Sequence, residues 1–140
     1  MLKGAMSHLG LSRLVKQREQ YTRLPLPLAL PATLGSDAVG VPARHGERLL
    51  DHLPRAGCVF ADAGWWWWIV PAGSDLDLDW PPPVRYSSGA YVPPGSPRLV
   101  HPSDGATPYT PPIPLYLTVC QVLGAVPAWN ADSADVLPTR

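Results

Sequence analysis

The chain has 140 residues, of which 46% are hydrophobic and 16% charged, and its 11 basic residues balance its 11 acidic residues. This length suits one domain with a hydrophobic core, and the composition excludes a wholly disordered chain, because such chains are highly charged and poor in apolar residues. The zero net charge provides no general attraction to nucleic acid or to an anionic membrane. The 19 prolines exclude long helices and long central strands from most of the chain, because proline lacks the backbone N–H that both use.

The first segment in chain order, residues 1–23, is basic. Its basic residues face a single acid, Glu19, and its apolar residues recur at spacings of three and four. This pattern predicts a helical arm from about Ser7 to Thr22, which would lie on a membrane surface or dock on a partner. The alternatives are a frayed arm or a translation start at Met6.

Residues 24–55 are rich in proline and leucine. The alternation of leucine and proline from Leu24 to Leu28 blocks helix and favours an extended, polyproline-like chain. We therefore predict an extended linker here, although its leucines would be expected to lie against another surface. A short helix is predicted over Glu47–Leu53, because Pro54 would end it.

Residues 56–129 are the predicted compact domain. Short apolar or alternating runs are separated there by turns rich in glycine, serine and proline, which predicts an antiparallel meander of short strands. The runs cover residues 58–61, 65–70, 76–80, 84–86, 90–92 and 98–101. The first two flank Asp62-Ala63-Gly64, a turn typical of a hairpin.

The last element is a helix over residues 113–123, which begins after Thr110 and Pro111 and ends at Gly124. It is apolar on nearly every side, so we expect it to be buried against one face of the sheet. Residues 130–140 are a predicted flexible tail. The predicted fold class is thus α+β, a short-stranded antiparallel meander packed against a C-terminal apolar helix, with a helical N-terminal arm.

Four consecutive tryptophans are the most unusual feature of the sequence. On a strand, side chains alternate, so Trp65 and Trp67 would face one side of the sheet while Trp66 and Trp68 face the other. One pair fits beneath the C-terminal helix, and the second pair needs a cover: the leucine-proline segment, the N-terminal helix or another molecule. Three hypotheses follow, namely core packing, a protein interface, and a platform for a small molecule or sugar.

The protein interface hypothesis assigns partner binding to the tryptophans and two neighbouring tyrosines. These residues are Trp65, Trp66, Trp67, Trp68, Tyr86 and Tyr91. Nucleic acid is not an expected partner, because aspartates lie close to the tryptophans in sequence and would repel phosphate.

The alternation of aspartate and leucine before Trp80 suggests a second kind of site. A strand here would place Asp75, Asp77 and Asp79 on one face, about 7 Å apart. Clustered carboxylates bind Mg²⁺ or Mn²⁺, so a small metal-dependent enzyme is the alternative function, and a solvated strand face is the simpler explanation. No nucleophile motif and no metal-ligand spacing of histidine or cysteine is present, so no catalytic residue and no cofactor are predicted.

Cysteine usage and segment lengths bear on the compartment. Cys58 and Cys120 lie in apolar stretches, so we interpret them as buried free thiols, with one disulfide as the alternative. No apolar run approaches the roughly 20 residues of a membrane-spanning helix, and no secretory signal pattern is present. The sequence therefore predicts a cytoplasmic protein.

Parts of the compact domain resemble a family. The stretches are 57–60, 64–75, Trp80-Pro81 and 109–115, and together they are similar to small uncharacterised actinobacterial proteins over about residues 57–129. Such proteins occur near helix-turn-helix regulators and anti-sigma-type ATP-binding proteins, so the resemblance implies a regulatory accessory role. The predicted function is a non-catalytic protein-binding accessory of a bacterial regulatory system, with a transcriptional regulator as the expected kind of partner and a homodimer left open.

Overall fold

The computed structural model describes residues 21–128, which form seven strands and two helices. The strands are β1 (Thr22–Arg23), β2 (Ser36–Pro42), β3 (Val59–Ala61), β4 (Trp65–Pro71), β5 (Arg85–Ser87), β6 (Tyr91–Val92) and β7 (Arg98–His101). The helices are α1 (Gly46–His52) and α2 (Pro112–Leu123), and single 3₁₀ turns cover Ala43–His45 and Ser88–Ala90. The antiparallel sheets and the C-terminal helix confirm the α+β class.

The predicted N-terminal helix and C-terminal tail lie outside the described residues, apart from the last positions of the helix. There, Thr22 pairs with Val92 in a two-stranded ladder between β1 and β6. Within residues 21–128, neither helix is long and apolar enough to cross a membrane.

The centre of the main sheet is β2, in the strand order β5-β2-β4-β3-β7. All seven of its residues are buried, and it pairs antiparallel with β4 from Ser36↔Pro71 to Pro42↔Trp65. The prediction of an extended linker over residues 24–55 is therefore wrong for residues 36–42. A strand buried on both faces does not alternate polar and apolar residues, so its sequence lacks the period that identified the other strands.

The insertion of β2 also changes the topology from a simple meander. The hairpin of β3 and β4 forms as predicted around the loop at residues 62–64. However, β4 and β5 are not neighbours, because β2 lies between them.

Two layers cover the sheet. On the helical face, α1 and α2 pack over Val39, Trp68 and Val70 through Leu49, Leu115 and other apolar residues. On the opposite face, a strap formed by residues 22–30 contributes Leu24, Leu26 and Leu30, which pack in the cluster of Phe60, Trp67 and Ile69. The leucine-proline segment, one of the three covers considered for the second tryptophan pair, thus packs against Trp67.

Local turn chemistry overrides the predicted strand at residues 76–80. Gly73 has a φ of 86°, and the N–H of Leu76 donates to its carbonyl oxygen at 3.1 Å, so the chain turns there. Leu76 is 69% exposed, whereas Leu78 is buried beside Tyr116. The alternating leucines therefore do not form the apolar face of a strand.

The C-terminal helix begins and ends close to the predicted positions. Gly124 ends α2 in the left-handed conformation, with a φ of 71°. Thr110 is not the cap of this helix, since its hydroxyl oxygen accepts a hydrogen bond from the N–H of Gly57 at 2.8 Å. Cys58 and Cys120 are free and buried, as predicted.

Candidate functional site

The tryptophans alternate across the sheet as predicted. The ring centroids of Trp65 and Trp67 lie 5.9 Å apart on the strap face, and those of Trp66 and Trp68 lie 5.9 Å apart on the helical face. Exposure, however, differs along the strand rather than between its faces. Trp67 and Trp68 are 1% and 0% exposed, while Trp65 and Trp66 are half-buried.

This division follows the position of each tryptophan along β4. Trp67 and Trp68 belong to the two buried clusters, whereas Trp65 and Trp66, at the start of the strand, are only partly buried against them. Trp67 and Trp68 are therefore core residues and are not available as partner anchors. Trp65 and Trp66 remain as the surface tryptophans of the predicted interface.

The hairpin loop fixes the backbone of the exposed tryptophans. The Asp62 carboxylate oxygen Oδ1 accepts hydrogen bonds from the N–H of Gly64 at 2.9 Å and from the N–H of Trp65 at 2.8 Å. The N–H of Asp62 in turn donates to the carbonyl oxygen of Trp65 at 2.9 Å. Aspartate is favoured in such turns because its short side chain bonds to the backbone that follows it.

A cleft lies on each side of this hairpin tip. The cleft on the strap face is lined by Trp65 and Trp67 together with the loop and residues 93–95. The cleft on the helical face is lined by Trp66, Arg98, Val100 and neighbouring residues of the loop. We call the hairpin loop, Trp65, Trp66 and residues 93–98 the aromatic end of the molecule.

Neighbouring groups hold the two indoles in place. The guanidinium carbon of Arg85 lies 4.5 Å from the ring centroid of Trp65, a distance typical of a cation–π contact. Gly46 packs so closely on Trp66 that a Cβ at this position would overlap the ring atom Cδ2. Each indole therefore has part of its ring face occupied within the protein.

The two tyrosines of the predicted interface have different environments. Tyr91 is 51% exposed and lies on β6, two residues before Pro93 of the strap-face cleft. Tyr86 instead packs near Trp80, with ring centroids 6.4 Å apart, and its hydroxyl donates to Asp37 Oδ2 at 2.6 Å. The structure thus keeps Tyr91 close to the aromatic end, whereas Tyr86 is half-buried and its hydroxyl is bound to Asp37.

Asp37 is an important polar residue that the sequence analysis did not identify. It is buried on β2, and its carboxylate accepts hydrogen bonds from the N–H of Gly73 and of Gly89 as well as from Tyr86. Burial, followed by the hydrogen bond to Asp37, raises the pKa of Tyr86 well above its usual value. The sequence signal that could have identified Asp37 is the presence of an acidic residue in the mostly apolar run of residues 36–42.

The aspartates proposed as metal ligands do not form a strand face. Asp75, Asp77 and Asp79 are exposed residues of the turn region that follows Pro71, at the opposite end of β4 from the aromatic end. Across residues 21–128, no group of three or more His, Cys, Asp or Glu side chains is arranged to hold a metal ion. The enzyme alternative therefore loses the geometry on which it depended.

This placement also removes the argument against nucleic acid that rested on aspartates near the tryptophans in sequence. Within the described part of the chain, Asp62 alone among those aspartates lies at the aromatic end. Comparison with protein-family models, curated proteins and solved structures found no match for this chain.

Proposed function

We propose that this protein is a non-catalytic binding module that docks on a partner protein through the aromatic end. The observation that carries the proposal is the position of Trp65 and Trp66, which are half-exposed at one end of the sheet with a cleft beside each of them. Tryptophan is enriched among the residues that dominate binding energy at protein interfaces.

The rigidity of the aromatic end supports this role. The loop hydrogen bonds of Asp62 fix the backbone, Arg85 lies over Trp65, and Gly46 packs on Trp66. Side chains that are already ordered lose little conformational entropy on binding, so a larger part of the contact energy appears as affinity. Tyr91 adds an exposed aromatic surface close to the strap-face cleft.

The setting of this interaction is part of the same proposal. The resemblance of residues 57–129 to small actinobacterial proteins suggests a cytoplasmic regulatory system, in which the partner is a protein such as a transcriptional regulator. The small-molecule platform is less favoured, because the ring faces of Trp65 and Trp66 are partly occupied within the protein.

The test is a pull-down of the tagged full-length protein under native conditions, followed by mass spectrometry of the intact complex. Any partner identified is then purified and titrated calorimetrically against the wild type, Trp65→Ser and Leu28→Ser. Leu28 is fully exposed on the strap, so its replacement is a matched loss of apolar surface away from the tryptophans. Thermal unfolding of each variant verifies that it is folded.

We expect Trp65→Ser to weaken the complex by about 2 kcal/mol, roughly 30-fold, with Leu28→Ser close to wild type. Trp66→Phe tests the other cleft, because it keeps an aromatic ring for packing and reduces the exposed surface. Equal affinity of all four proteins for the partner would contradict the proposal. Unfolding of both tryptophan variants would show that these side chains act as core residues, which also contradicts it.

A further inference from the structure

Charge is divided between the two ends of the sheet. The register places Arg98 opposite Ala61 and Arg85 opposite Gly40, and Arg44 closely follows Pro42, which pairs with Trp65. The arginines at the aromatic end are therefore Arg44, Arg48, Arg85 and Arg98, and the acids of the same region are Glu47 and Asp62.

The opposite end has the reverse balance. Its acids are Asp37, Asp75, Asp77, Asp79 and Asp104, and its arginine is Arg55. Arg23 on β1 and Asp51 on α1 complete the Asp, Glu and Arg side chains of residues 21–128. Although the net charge of the whole chain is zero, the charges of the described residues are unevenly distributed, and the end with excess positive charge carries the exposed tryptophans.

Two of the arginines lie beside the exposed tryptophans, and one of these, Arg98, lines a cleft. Arg98 lines the cleft on the helical face beside Trp66, and Arg85 lies over Trp65 on the strap face. The hairpin tip therefore has one guanidinium on each side. Asp62, which lies between them, directs its Oδ1 to two backbone N–H groups of the loop, so part of its charge is already compensated.

The N-terminal segment of this chain is itself basic. Residues 1–20 carry Lys3, Arg13, Lys16 and Arg18 against Glu19. A positively charged site does not attract a basic segment, so the N-terminal segment of this chain is not the occupant that the charge of the aromatic end favours.

We propose that the occupant of the aromatic end is an acidic segment of a partner protein. Its carboxylates pair with Arg85 and Arg98 on the two sides of the hairpin tip, and its apolar side chains contact Trp65 and Trp66. Guanidinium groups suit this role because they bind carboxylates with two parallel hydrogen bonds. This inference rests on the proposed function and specifies the chemistry of the partner.

Nucleic acid is the rival polyanion, and the arrangement of the indoles disfavours it. Bases in single strands bind by stacking on the open face of an aromatic ring. Trp65 has Trp67 and Arg85 against its ring, and Trp66 has Trp68 and Gly46. Part of the ring face of each indole is therefore already occupied, which leaves less open face on which a base could stack.

The test measures fluorescence anisotropy of a labelled peptide of Glu-Glu-Leu repeats titrated with the full-length protein. A Gln-Gln-Leu peptide of the same length and an oligothymidine are the comparison probes. The protein variants are Arg98→Gln, Trp65→Ser and Arg55→Gln, of which the last removes an arginine at the opposite end. Each titration is repeated at high salt, where charge interactions are screened over a few ångströms.

We expect the acidic peptide to bind roughly tenfold more tightly than its glutamine counterpart, with the difference lost at high salt and in Arg98→Gln but retained in Arg55→Gln. Equal binding of the two peptides, or equal effects of the two arginine variants, would overturn the inference. Tighter binding of oligothymidine would also overturn it and assign the site to nucleic acid.

The same variants separate this inference from the proposed function. If a purified partner depends on Trp65 but not on Arg98 or salt, the docking site is correct and its acidic preference is wrong. If neither the partner nor the acidic peptide depends on Trp65, both proposals fail.

Discussion

The close contact between Gly40 of β2 and the side chain of Trp67 provides the sharpest test of the core packing. At Gly40 the strand lies against the indole, and a Cβ there would stand 2.7 Å from Cε3 and 2.8 Å from Cη2 of Trp67. Favourable carbon–carbon contacts lie at about 3.5–4.0 Å, so Gly40→Ala requires a relative movement of roughly 1 Å. β2 is held between β4 and β5, and Trp67 is 1% exposed, so neither can move without disturbing the packing of the sheet.

The expected cost of this overlap is about 3 kcal/mol, at the upper end of typical overpacking effects. Alanine is less flexible than glycine in the unfolded chain, and this stabilises the folded state by roughly 0.5–1 kcal/mol, which offsets part of the overpacking cost. The net destabilisation of Gly40→Ala is therefore about 2 kcal/mol, which corresponds to a decrease in Tm of roughly 8 °C for a domain of this size.

Urea unfolding followed by tryptophan fluorescence, together with calorimetry, measures this change. Gly64→Ala is the matched control, because a Cβ at this position of the hairpin loop would meet only Asp62 Oδ1, at 3.9 Å, and we expect its stability to differ by less than about 0.5 kcal/mol. If Gly40→Ala is as stable as Gly64→Ala, Trp67 does not pack on β2 in the way described, and the account of the strap face is wrong.

Three further predictions concern buried polar groups and thiols. Burial raises the pKa of both Cys58 and Cys120, so the folded protein should leave Ellman's reagent unreacted and the unfolded protein should react at both thiols; a fast reaction before unfolding would contradict their burial. The raised pKa of Tyr86 gives stability that is fully present below the unfolded value of about 10 and is lost as the pH rises further. Urea titrations at increasing alkaline pH should therefore show a smaller loss of stability in Tyr86→Phe than in the wild type, and equal losses would contradict this linkage. Asp37→Ala leaves the Tyr86 hydroxyl and two backbone N–H groups without their acceptor, so we expect a loss of about 2–4 kcal/mol in urea unfolding, and a change below about 0.5 kcal/mol would show that water replaces the carboxylate.

The sequence predicts those elements whose signals are local. The hairpin around Asp62-Ala63-Gly64 and the end of α2 at Gly124 depend on turn and cap chemistry within a few residues, and both form as predicted. The short helix predicted over Glu47–Leu53 likewise forms, at Gly46–His52, and ends before Pro54 as expected.

The central strand and the Asp–Leu alternation show where local patterns fail. Ser36–Pro42 is identified as a strand by its neighbours β4 and β5, which come later in the chain, and its own residues show no period of two. Residues 76–80 do show this period, but the turn at Gly73 and the contact of Leu78 with Tyr116 decide their conformation. Tertiary packing thus overrides the local preference in both directions.

The site was predictable in its residue types and not in its geometry. Alternation correctly separates Trp65 and Trp67 from Trp66 and Trp68, because it depends only on the pleat of a strand. Which tryptophans reach the surface depends on how completely the strap and the helices cover each of them, and this is a property of the whole fold. The arginines at the aromatic end come from β5, β7, α1 and the turn after β2, so only their assembly in space brings them together.

The position of β2 at the centre of the sheet also bears on how the protein is made. During synthesis at about 5–20 residues per second, the ribosome delivers this strand several seconds before the strands that flank it on both sides. Throughout that interval its apolar residues have no completed sheet to join, and β4, which follows, brings the four tryptophans into the same unfinished molecule. The nascent chain is therefore most exposed to aggregation between the delivery of Ser36 and that of Ser87, so chaperone dependence and slow translation should affect its yield most strongly within this window.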